Sequence, residues 1–112
     1  MRSAFAFTLI AVLLTAGCGD EPSGPGTTVT VEVRDNNFSP SSATLAAGGT
    51  ATWNWTGGNL HDVTWTAGSP AASPTQTTGS YQRQFASAGT FEYYCTVHGT
   101  PTSGMRGSVT VQ

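Results

Sequence analysis

Apolar and polar residues alternate with a period of two along most of the chain beyond residue 27. Val29, Val31 and Val33 alternate with Thr28, Thr30, Glu32 and Arg34, which predicts a strand with one buried face. Asp35-Asn36-Asn37 predicts a turn, followed by Phe38 and Pro40. A short strand is expected from Ala43 to Ala46, closed by Gly48-Gly49. Ala51, Trp53 and Trp55 alternate with Thr50, Thr52, Asn54 and Thr56, giving a strand with a heavy aromatic face. Gly57-Gly58-Asn59 turns the chain again.

Between residues 61 and 66, His61, Val63 and Trp65 share one parity, so His61 stands at the start of a buried face. Asp62 has the opposite parity. Ala67 to Ser80 is rich in Ser, Pro, Thr and Gly and reads as a long loop. A strand is expected from Tyr81 to Ala86. Arg83 shares its inward parity with Tyr81 and Phe85, which argues for a sheet edge or a bulge. Phe91, Tyr93 and Cys95 then point one way, Glu92 and Tyr94 the other. In the last strand Met105, Gly107, Val109 and Val111 share a face. No helical period with caps interrupts the series. About seven strands with turn signals between them predict an all-β antiparallel sandwich or barrel.

The first residues follow a different pattern. Arg2 precedes an apolar run from Ala4 to Leu14, broken only by Thr8, of signal-peptide length and too short for a membrane span. It ends Leu14-Thr15-Ala16-Gly17-Cys18, which resembles the lipobox of bacterial lipoproteins, although Thr15 replaces the usual Leu. That likeness implies a signal peptide over 1–17 and lipid on Cys18, with an ordinary secretory signal as the other reading. Residues 18–27 form a Gly/Pro/Ser linker, and 28–112 the folded domain. The expected location is the cell envelope, on the periplasmic side, anchored to a membrane by lipid.

Charge narrows the function classes. Only 9% of the 112 residues are charged, lysine is absent and the net charge is −2. No basic cluster offers a footprint for nucleic acid or an acidic membrane surface. Without Met1 and Cys18, the chain holds two histidines, one cysteine and one methionine. Parity puts His61, Cys95 and Met105 on buried faces, and His98 lies three residues past Cys95, where it can fold back beside it.

Taken singly, each has an ordinary role. Cys95 suits a small buried apolar site, or pairs with Cys18 if no lipid is added. Met105 fills a core, His61 sits hydrogen-bonded inside it, and His98 faces water. Together they match a blue-copper set, with two imidazoles and a thiolate in plane and a weak axial thioether. The soft sulfurs favour Cu(I), and the imidazoles serve both Cu(I) and Cu(II). Zinc competes for Cys and His, but a thioether is a poor zinc ligand.

The segments Phe38-Ser39-Pro40, Gly49-Thr50-Ala51-Thr52-Trp53, Leu60-His61-Asp62-Val63, 88–98 and Met105-Arg106-Gly107-Ser108-Val109 together resemble the cupredoxins, specifically plastocyanin-like bacterial copper proteins. The resemblance implies a Greek-key β-sandwich with one type 1 copper ion. His61, Cys95 and His98 would be the equatorial ligands, Met105 the axial one, and Asp62 a brace for the ligand loops. Six residues separate His98 from Met105, more than in plastocyanin, so Gly99 to Gly104 is expected to bulge out.

The expected function is one-electron transfer to redox partner proteins of the envelope by a monomer. Electrons would pass through the edge of His98, framed by Leu60 and Pro101. Copper storage or delivery without redox work is the alternative, and a metal-free adhesion domain ranks last. No catalytic grouping points to an enzyme.

Overall fold

A computed structural model describes residues 26–112. The expected signal segment, Cys18 and nearly all of the linker lie outside the described residues. In chain order the strands are β1 (Thr28–Arg34), β2 (Asn37–Ser39), β3 (Ser42–Leu45) and β4 (Thr50–Trp55), then β5 (Thr64–Trp65), β6 (Ser80–Gln84), β7 (Gly89–Thr100) and β8 (Ser103–Val111). They form two four-stranded sheets, ordered β2-β1-β4-β6 and β3-β8-β7-β5. The all-β sandwich is as expected, with two corrections. The sheets are mixed, because β1 pairs with β4 and β3 with β8 in parallel. An eighth strand stands where Asn37 was expected to belong to a turn. Asp35 and Asn36 make that turn alone. Asn36 takes a left-handed φ of 69°, and Arg34 pairs with Asn37.

The inward parities meet between the sheets. Trp53, at 0% exposure, packs edge-on against Trp65 and Tyr93, with ring centroids 5.6 and 5.3 Å away. Tyr93 covers Gly107, its partner across β7 and β8, and a Cβ at 107 would collide with the Tyr93 ring. Burial pushes the Tyr93 phenol up to about 12, so it stays neutral. β6 is the edge strand that the inward parity of Arg83 implied. The Arg83 guanidinium lies 4.2 Å from the Trp65 ring centroid and 4.4 Å from that of Phe85, stacked on the aromatic rings at that edge.

The strand expected over 61–66 is shorter than its pattern. Only Thr64 and Trp65 join the β7 ladder. The 67–80 loop folds back on the preceding residues and supplies the missing partners. His61 forms an isolated bridge with Gln76, and the Val63 N–H donates to Ser73 Oγ at 2.8 Å. A loop thus does the work of a neighbouring strand, satisfying buried backbone groups that would otherwise be unpaired.

Candidate metal centre

The centre is built where the β7–β8 ladder loses register. Tyr94 faces Arg106 and Gly99 faces Gly104, so Cys95, Thr96, Val97 and His98 all lie opposite Met105 alone. Four residues against one form an extended bulge, which turns the chain enough for Cys95 and His98 to aim at the same point. Gly99 and Gly104 restore the pairing beyond it. A Cβ on Gly99 would sit 2.7 Å from the Met105 backbone N. Gly104 has a φ of +80°, and a Cβ there would sit 2.6 Å from the His98 carbonyl oxygen. The expected 99–104 bulge is corrected: these residues continue the β7–β8 hairpin around Pro101 and Thr102, and the irregularity lies at 95–98. Cross-strand pairing accommodates the extra length without a loose loop.

His61 enters from the other side. Its backbone is fixed by paired hydrogen bonds with Gln76, at 3.1 and 3.0 Å, and by the Trp55 indole N–H on its carbonyl at 3.1 Å. His61 Nδ1 lies 3.8 Å from Cys95 Sγ, His98 Nδ1 lies 3.9 Å from the same sulfur, and the two Nδ1 atoms are 3.1 Å apart. The point equidistant from these three atoms is about 2.1 Å from each, the length of a metal–imidazole bond. His61 and Cys95 are fully buried and His98 half-buried. Met105, 2% exposed, faces the bulge from β8.

Two carboxylates brace this arrangement. Asp62 is 4% exposed despite its outward parity. It accepts hydrogen bonds from the Thr96 N–H at 2.8 Å, the Thr96 hydroxyl, and the Thr64 and Thr75 hydroxyls at 3.3 Å each. It thereby ties the His61 segment to the bulge and to the long loop. Asp35 was read only as a turn residue, yet its Oδ1 lies 3.0 Å from His61 Nε2. That contact, together with the Asn59 and Gly58 N–H groups, holds the Asp35 carboxyl below the usual carboxylate range. No local sequence signal links Asp35 to His61. Val97 was also missed: at 49% exposure it stands with Leu60, at 51%, as an exposed large apolar residue next to a ligand.

Two imidazoles and one thiolate converging inside a β-sandwich define a mononuclear copper protein, and the donor spacing fits one ion. Residues 26–112 match the family described as copper binding proteins, plastocyanin/azurin family, and the chain belongs to it. It is 33% identical over 86 residues to plastocyanin of Scenedesmus fuscus, covering 67% of this chain and 86% of that protein. Among solved structures it is similar to a mutant plastocyanin of fern, with a TM-score of 0.60 and 26% identity over 74% of this chain and 99% of the other. A purple cupredoxin from Nitrosopumilus maritimus shares the fold, with a TM-score of 0.62 and 23% identity over 75% and 99% of the two chains.

Proposed function

We propose that this protein is a one-electron carrier of the cell envelope, working as a monomer held at a membrane by lipid on Cys18. The observation that carries the reading is a ligand triangle held by scaffold contacts, with one ligand reaching the surface. His61 is fixed at its backbone and ring, Cys95 sits at the end of a paired stretch of strand, and His98 is half-buried. Copper, when bound, supplies the Cu(I)/Cu(II) couple. The residues' part is to hold one geometry for both oxidation states, so that little rearrangement accompanies each transfer. Leu60 and Val97 flank the two histidines in sequence and offer apolar surface for a redox partner near His98.

Voltammetry of the copper-loaded protein tests the reading. A carrier gives a reversible one-electron wave and retains copper through repeated cycles. Loss of copper on reduction supports storage or delivery instead. For the anchor, Cys18→Ala should move the protein from the membrane fraction to the soluble one; an unchanged distribution removes the lipid.

We assign Met105 as the axial ligand because it is buried and alone faces the bulge carrying Cys95 and His98. Met105→Leu should keep the colour and raise the reduction potential, since a thioether lone pair stabilises the higher copper charge better than a hydrocarbon does. The rise should be on the order of 60 mV, the equivalent of a tenfold change in relative affinity. An unchanged potential takes Met105 off the ligand list.

A further inference from the structure

We infer that Asp35 is a positioning residue of the copper centre: its carboxylate takes the His61 Nε2–H, commits Nδ1 to the metal, and biases the site toward Cu(II). The inference rests on the copper reading of His61, Cys95 and His98.

The contact joins residues 26 positions apart, with Asp35 Oδ1 at 3.0 Å from His61 Nε2. The carboxylate is itself held in place. The Asn59 N–H donates to Oδ1 at 3.0 Å and the Gly58 N–H to Oδ2 at 3.2 Å. The 57–59 turn wraps so closely around it that a Cβ on Gly57 would collide with Asp35. Asn36, in its left-handed conformation, closes the turn that delivers Asp35 to this spot. A turn between β1 and β2 and a turn after β4 are thus clamped together on one ligand.

A carboxylate can only accept, so the proton of a neutral His61 ring sits on Nε2 and the lone pair on Nδ1. Nδ1 is the nitrogen that faces Cys95 Sγ and His98 Nδ1. Hydrogen bonding to a carboxylate also raises the donor strength of a ligating imidazole. The negative charge beyond the ring stabilises the ion of higher charge more than the lower one. Water attenuates the effect, because the Asp35 side chain is 44% exposed while that of His61 is 0%. Asp62 differs in kind: its hydrogen bonds go to threonine hydroxyls and a backbone N–H, and none goes to a ligand ring.

The experiment compares the copper-loaded full chain as wild type, Asp35→Asn and Glu32→Gln. Glu32 carries the same charge on β1, pairs with Arg34 and does not touch His61. Asp35→Asn should lower the ratio of Cu(II) to Cu(I) affinity about tenfold, which raises the potential by about 59 mV. Its Cu(II) affinity should fall roughly 10–100-fold by chelator competition. Glu32→Gln should leave both within twofold of wild type. The wild-type protein supplies a readout that needs no variant. In the diamagnetic Cu(I) form, NMR should show His61 protonated at Nε2 with a slowly exchanging proton. Wild type with an intense thiolate-to-copper band but the same potential in Asp35→Asn overturns the role of Asp35 alone, as does a proton on Nδ1. A wild type without that band overturns the copper reading, and this inference with it.

Discussion

Cys95→Ser is expected to abolish the intense visible absorption of the copper-loaded protein. The band arises from charge transfer between a thiolate and Cu(II). A serine hydroxyl stays protonated at neutral pH and is a hard, weak donor where the site provides a soft one. The two imidazoles, 3.1 Å apart at Nδ1, would remain as donors for a bound copper ion. Affinity should nevertheless fall by more than the roughly 10–100-fold typical of losing an outer partner. The substitution is nearly isosteric at a position 0% exposed, so the sandwich survives at a cost of about 1–3 kcal/mol for a buried hydroxyl. Copper titration followed by absorption, beside far-ultraviolet dichroism, separates loss of the site from loss of the fold. An intense band retained in the serine variant would falsify the assignment of Cys95 as a ligand.

Trp53→Ala should have the largest effect on stability. Trp53 lies on β4, an inner strand of its sheet, at 0% exposure. Its ring centroid is within 5.6 Å of Trp65 and Tyr81 and 5.3 Å of Tyr93, so one side chain links both sheets. Truncation removes that area from the core and leaves a cavity that rings on paired strands cannot collapse to fill. The expected cost is about 3–5 kcal/mol, a large part of the ~5–15 kcal/mol that stabilises a typical domain. For a domain of this size each kcal/mol lowers the melting midpoint by about 4–8 °C. Copper binding should weaken too, because Tyr93 is two residues from Cys95 on β7. Trp53→Phe keeps most of the contact and should recover more than half of the loss. A denaturant midpoint showing less than about 1 kcal/mol for Trp53→Ala would show that the core does not depend on this ring.

The two positions illustrate how much was legible in the chain. Trp53 and Cys95 could be assigned to the buried face because alternation along a strand is a local, period-two property. The same reasoning placed His61, Val63 and Trp65 inward, although only Thr64 and Trp65 enter a ladder. It failed for Asp62. Parity pointed that side chain outward, yet the 67–80 loop and the bulge cover it with hydroxyl and N–H donors. Parity names a face and is silent about what lies over it.

The donor set was likewise readable, because soft sulfur and imidazole donors are a matter of residue identity. The amino-acid sequence by itself therefore determined the all-β class, the inward faces of the strands apart from Asp62, and the donor chemistry of His61, Cys95 and His98. Tertiary structure alone decided which strands are neighbours, including the parallel β1·β4 and β3·β8 pairs. It also decided that four residues of β7 oppose Met105, and that Asp35 reaches the ring of His61. The parallel strand pairs and the Asp35–His61 contact join segments distant in the chain, and the β7–β8 offset is a matter of register within a hairpin. Sheet order and register set those contacts, and no local period encodes them.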